Sequence, residues 1–100
     1  MPVKILMTWD ILPGREQDYF EFVVRDFVPQ MQEMGLQPSD AWYTYYGDHP
    51  QIMAAAVMDT KAEMDKVIAS DGWTSLTLQL MEYVQDFEYK IVPARGGFQL

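Results

Sequence analysis

Val3-Lys4-Ile5-Leu6-Met7-Thr8-Trp9-Asp10 alternates in character along its length. Val3, Ile5, Met7 and Trp9 share one face and Lys4, Leu6, Thr8 and Asp10 the other, the period of two that a β-strand imposes on its side chains. Pro13-Gly14 ends the strand. From Arg15 to Met34 the period becomes helical. Tyr19, Phe22, Val23, Phe27, Met31 and Met34 recur on neighbouring turns, and Gly35 stands where a helix terminator belongs. Glu21 and Arg25 are spaced as an i, i+4 pair. Pro29 lacks an N–H and crowds the carbonyl of Arg25, so a kink is expected there.

Downstream, Gln37-Pro38-Ser39-Asp40 reads as a turn cluster and Ala41-Trp42-Tyr43-Thr44-Tyr45-Tyr46 as an aromatic, β-branched strand. Gly47-Asp48-His49-Pro50 turns the chain into Gln51 to Met58. That segment has the composition of a buried strand central in a sheet, and its three alanines allow close approach of other groups. Thr60 with Glu63 makes a capping box before Met64, Val67 and Ile68. Ser70-Asp71-Gly72 interrupts this helix, and the pattern resumes with Trp73, Leu76, Leu80 and Tyr83 or Val84. Residues 61–84 thus read as one helix with a broken middle or as two helices end to end. Phe87 to Val92 alternates again as a strand. Residues 93–100 form a C-terminal arm whose Phe98 and Leu100 are placed to pack on another subunit. The order β-α-β-β-α-β over residues 1–100 predicts one α+β domain of ferredoxin-like arrangement, an antiparallel sheet with its helices on one face.

Composition narrows the function classes. With 100 residues, 49% of them hydrophobic, the chain can build an ordinary core. It has no cysteine, which excludes disulfides, thiolate nucleophiles and Cys-ligated metal centres, and its one histidine leaves no His-pair metal site within a single chain. No metal or cofactor is expected. The net charge of −8 and the scattering of the basic residues argue against nucleic acid and anionic membranes as partners. No apolar run approaches the ~20 residues of a membrane span, and the N-terminus lacks the plan of a signal peptide. The expectation is a soluble, cytoplasmic protein.

Helices on one side leave the other sheet face open. That face would carry Lys4, Leu6, Thr8, Trp42, Tyr46, Met53, Ala55, Val57, Lys90 and Val92, or the alternate set if the register shifts by one. Either set is too apolar for water, and the economical partner is the same face of a second copy, hence a homodimer.

Trp9 in the opening strand, Pro13-Gly14-Arg15-Glu16 before the first helix, the strand ending Met58-Asp59 and Ala69-Ser70-Asp71-Gly72-Trp73 resemble the dimeric α/β-barrel superfamily. Its members include antibiotic-biosynthesis monooxygenase-like, EthD-like and NIPSNAP-like domains. The resemblance implies two sheets facing each other across a dimer, with a ligand pocket between each sheet and its helices. Haem-degrading members use an asparagine, a tryptophan and a histidine. Trp73 could match the tryptophan, but the chain has no asparagine, and His49 lies in a strand-to-strand turn rather than on the second helix. Cofactor-free quinone-forming oxygenases of this fold lean on asparagine, tryptophan and arginine, and the chain departs from them at the first.

The site candidates are few. His49 titrates near neutrality and is the obvious acid or base, although its turn also suits a solvated residue. Asp10 would become a base if buried against the aromatic wall. Trp9, Trp42, Tyr45, Tyr46 and Trp73, with Tyr43, could line a pocket for a flat ligand, or could be core and interface. Lys90, beside Glu88 and Val92, is placed near Asp10 or Thr8 for a proton relay or a cross-strand ion pair. Three functions stay open: a homodimer binding a hydrophobic or aromatic small molecule, a cofactor-independent oxygenase or isomerase acting on a phenolic or polyketide-like substrate, and a structural dimer without a pocket.

Overall fold

The computed structural model describes residues 1–43 and 51–94. Four strands, β1 (Val3–Ile11), β2 (Gln37–Tyr43), β3 (Ile52–Met58) and β4 (Val84–Pro93), form one antiparallel sheet in the order β2-β3-β1-β4. This is the expected ferredoxin-like α+β fold, with β3 central beside β1. Its helices are α1 (Glu16–Phe22), α2 (Val28–Glu33), α3 (Lys61–Ile68) and α4 (Asp71–Leu80).

The alternation of β1 decides what the sheet buries. Val3, Ile5, Met7, Trp9 and Ile11 join Tyr19, Phe22, Phe27 and Met31 from the first helical segment and Met64, Trp73, Leu76 and Leu80 from the second in one core cluster. Leu6, on the opposite side of the strand, is not part of it.

In the first helical segment, where an irregularity was expected at Pro29, the helical pattern changes ahead of it. A π-helical turn, Val23–Phe27, lies between α1 and α2, and Pro29 sits in the first turn of α2. Val28 N–H donates to the carbonyl of Val23, the i→i+5 bond of a π turn. Proline cannot donate to the preceding turn, and the wider turn accommodates that loss before Pro29 is reached. Arg25 lies inside the π turn, and its expected pairing with Glu21 is not among the ion pairs of the described residues. The ion pairs among the described residues are Lys4–Asp40, Arg15–Asp18 and Lys61–Asp65.

Two further boundaries move. The expected turn cluster Gln37–Asp40 is the start of β2, whose pairing with β3 shifts by one residue between Pro38 and Asp40. Pro38 is tolerated because β2 is an edge strand, where a missing donor costs no ladder bond. At the other edge, β4 starts at Val84, so this residue is not the last of a helix. A bulge between the Thr8↔Glu88 and Asp10↔Gln85 pairs places an extra residue opposite Trp9, with Asp86 at φ 58°. The bulge reverses the facing parity, so Val84 is buried opposite Ile11 and Phe87 still turns inward onto Trp9.

The second helical segment is two helices. Thr60 caps α3 by accepting from Glu63 N–H at 3.1 Å, and its hydroxyl donates to the Glu63 carboxylate. Ser70 caps α4 by accepting from Trp73 N–H at 3.2 Å. The interruption read at residues 70–72 is therefore a new N-terminus. Of the C-terminal arm, Ala94 N–H donates to the Pro2 carbonyl; Phe98 and Leu100 lie outside the described residues.

Candidate functional site

The helix-facing side of the sheet is packed with side chains. Trp9, 2% exposed, meets Tyr19 and Phe27 edge-on and stacks on Phe87 with centroids 6.0 Å apart. Its indole N–H donates to the Tyr19 hydroxyl at 3.0 Å. Burial pushes the Tyr19 phenol above its ordinary value of 10.0, and the Trp9 hydrogen bond pulls weakly the other way. Trp73, also buried, packs edge-on against Tyr89. Met7, Met64, Leu76 and Leu80 are fully buried in the same layer.

The other face carries the residues paired with or adjacent to Lys4, Leu6 and Thr8: Val57, Ala55 and Met53 on β3, Asp40 and Trp42 on β2, and Glu88, Lys90 and Val92 on β4. This is the first of the two registers considered from sequence. Lys4 is buried, and its ammonium reaches the Asp40 carboxylate at 3.4 Å. Leu6 and Ala55 are buried beside it, whereas Trp42 is 40% exposed. Toward the β4 edge the face dips into a concavity of about 350 Å³, lined by Leu6, Thr8, Met53, Glu88, Tyr89 and Lys90.

Of the aromatic set proposed from sequence, the three described tryptophans do not converge. Trp9 and Trp73 belong to the core and Trp42 to the opposite side of the sheet. Tyr45, Tyr46 and His49 lie outside the described residues. Asp10 holds a structural position: its carboxylate accepts from Gln51 N–H at 2.8 Å, while the Gln51 side-chain carbonyl accepts from Ile11 N–H at 2.8 Å. These two side chains continue the β1–β3 pairing past its last backbone pair, and the Gln51 amide also donates to the Tyr43 hydroxyl. Lys90 stands opposite Leu6 and Glu88 opposite Thr8, so the Lys90–Thr8 proximity is present while the ion pair with Asp10 is not. Among the described residues no group of His, Asp and Glu gathers as metal ligands. No helix among them is long and apolar enough to cross a membrane.

Sequence reasoning overlooked Tyr19 as the partner of Trp9 and Gln51 as the partner of Asp10. A buried tryptophan needs an acceptor for its N–H, and that requirement was the available signal; which of the tyrosines supplies it depends on helix placement.

No family model and no curated protein matches the chain. Solved structures do. A NIPSNAP family protein from Agrobacterium tumefaciens superposes with a TM-score of 0.69 at 13% identity, over 96% of this chain and 95% of that one. An ethyl tert-butyl ether D (EthD) family protein from Bacillus halodurans gives 0.70 at 14% identity, over 95% and 100%. The chain has the fold of NIPSNAP and EthD-family proteins. SnoaB, a cofactor-independent oxygenase from Streptomyces nogalater, shares that NIPSNAP-like fold with a TM-score of 0.67 at 15% identity, over 96% and 95%. The likeness to NIPSNAP and EthD-family structures is the resemblance expected from sequence. At such identities the likeness is one of fold, and a fold of this kind hosts unrelated activities.

Proposed function

We propose that the protein is a homodimeric α/β-barrel protein that binds a hydrophobic small molecule. The observation that carries this reading is the sheet face away from the helices. It presents Trp42, Met53, Val57 and Val92 together with an apolar-floored concavity, and no described helix packs on it. An apolar face of this kind is covered most economically by its own copy. The packed helix side supports putting the ligand on this same face, where the second sheet would close the chamber.

Sedimentation equilibrium of the wild type and of Trp42→Asp tests the dimer. Trp42 is partly exposed, so the variant should fold, and a new carboxylate facing a second sheet should convert dimer to monomer. A wild type that is monomeric at micromolar concentration, or a variant that stays dimeric, refutes the placement. The fold shared with SnoaB favours a second reading, a cofactor-independent oxygenase. Oxygen consumption with hydroxylated aromatic substrates tests it. Failure to consume oxygen with any of them leaves the binding reading standing alone.

A further inference from the structure

We infer that the concavity on the open sheet face is a binding site for a small zwitterion with an apolar body, of the class of an apolar α-amino acid. Its carboxylate sits on Lys90 and its ammonium on Glu88. The inference rests on the binding reading above and adds the site's location and the ligand's chemistry.

Glu88 and Lys90 are alternate residues of β4 on one face, opposite Thr8 and Leu6, so their backbones are roughly 7 Å apart along the strand. Neither belongs to an ion pair among the described residues, whereas Lys4 and Asp40, the other opposite charges toward the far side of this face, pair with each other at 3.4 Å. The bulge at Asp86 directs this arrangement. It turns Phe87 onto Trp9 in the core, and Glu88 therefore faces the concavity. Leu6 and Met53 supply an apolar floor, and Thr8 stands between Met53 and Glu88 across the sheet.

The alternatives engage fewer of these groups. A purely apolar ligand would gain only its contact with Leu6 and Met53 and would leave both the Glu88 and Lys90 charges unused. An anion would satisfy Lys90 and face Glu88; a cation would do the reverse. A ligand carrying both charges matches both, and its side chain lies on Leu6 and Met53. The hollow of about 350 Å³ has room for such a molecule, at the lower end of the ~300–1,000 Å³ of small-molecule sites. Closure by a second sheet would lower the local dielectric and raise the selectivity for matched charges.

Calorimetric titration of the full chain with L-phenylalanine tests this, beside N-acetyl-L-phenylalanine, which lacks the ammonium, and L-phenylalaninamide, which lacks the carboxylate. Both derivatives should bind about tenfold or more weakly, the loss of one charge-assisted hydrogen bond. In Lys90→Met the amino acid and the amide should bind alike while acetylation still weakens binding; Glu88→Gln should show the converse. Both side chains are exposed, and circular dichroism establishes that the variants fold. Binding that ignores both substitutions overturns the inference, as does an absence of binding by all three ligands. Anilinonaphthalene sulfonate fluorescence, read on the same samples with their sedimentation mass, separates the two failures. A dimer that enhances the dye's emission but does not bind the amino acid overturns the zwitterion and leaves the broader reading intact. A protein that binds neither overturns both.

Discussion

Replacing Tyr19 by Phe removes one oxygen from the core and leaves the Trp9 indole N–H without its acceptor. The bond is 3.0 Å long, Trp9 is 2% exposed and Tyr19 4%, so water cannot take the hydroxyl's place without opening the core. An unsatisfied buried donor costs about 1–3 kcal/mol, and the desolvation relieved by deleting the hydroxyl places the expected loss at about 1–2 kcal/mol. For a domain of this size, 1 kcal/mol corresponds to roughly 4–8 °C in Tm. Urea unfolding at fixed protein concentration should show a lower midpoint at unchanged slope. Combining the change with Trp9→Phe isolates the pair: once the donor is gone, Tyr19→Phe should cost markedly less than it does beside Trp9. A Tyr19→Phe variant within about 0.5 kcal/mol of wild type, the range of ordinary surface changes, would refute the argument. The same residue governs alkaline stability. Its phenol is raised in the folded state by burial, so the unfolded chain loses this proton first as pH climbs past the ordinary 10.0. The stability contribution is complete below that pH and is lost as pH rises toward the folded value. Tyr19→Phe should flatten this component of the alkaline decline.

Other perturbations follow from single contacts. Ser70→Ala deletes the cap of α4 and should cost about 1 kcal/mol by denaturant titration. Gly35→Ala should destabilise by about 1 kcal/mol or more, because Gly35 has φ +91° and an added Cβ would lie 3.3 Å from the Met58 methyl; thermal melts check this. Asp40→Ala should be costlier than Lys4→Met in the same assay. The first strands a buried ammonium, while the second leaves a carboxylate with partial access to water and fills the stem's place with apolar atoms.

The bulges and the π turn show where local sequence stopped being informative. Val84 was legible as apolar and helix-spaced from Leu80, yet it is the first residue of β4, because Leu80 ends α4 and the sheet edge offers Val84 a buried partner in Ile11. Asp86 at φ 58° has no signature of its own; aspartate merely tolerates the left-handed region better than most residues. Pro29 announced an irregularity, but whether a helix answers with a kink or a wider turn depends on what its apolar stripe must reach. Here Phe22 before the π turn, Phe27 at its end and Met31 after it all enter the core. Gln37–Asp40 has the composition of a turn and becomes a strand because β3 presents an unpaired edge beside it.

For the candidate site, sequence brought Leu6, Thr8, Met53 and Lys90 to one face, since alternation in three strands already sorts them. It put Trp42 with that set and Trp9 on the other face, but left the alternate register open and grouped both as pocket residues, because burial is set by the layer above.

By itself, the sequence determined the coarse element order, the composition of each strand face and helix stripe, the Thr60 cap and the absence of cysteine chemistry. These follow from periodicity and from the intrinsic chemistry of single residues, which act over a few positions. Only the tertiary structure decided the pairing register, the bulge that turns Phe87 inward and Glu88 outward, the Trp9–Tyr19 bond and the hollow beside Lys90. Each depends on atoms far apart in sequence meeting at ångström distances, and a one-residue shift in strand pairing, invisible to any local pattern, would exchange the two faces of the sheet.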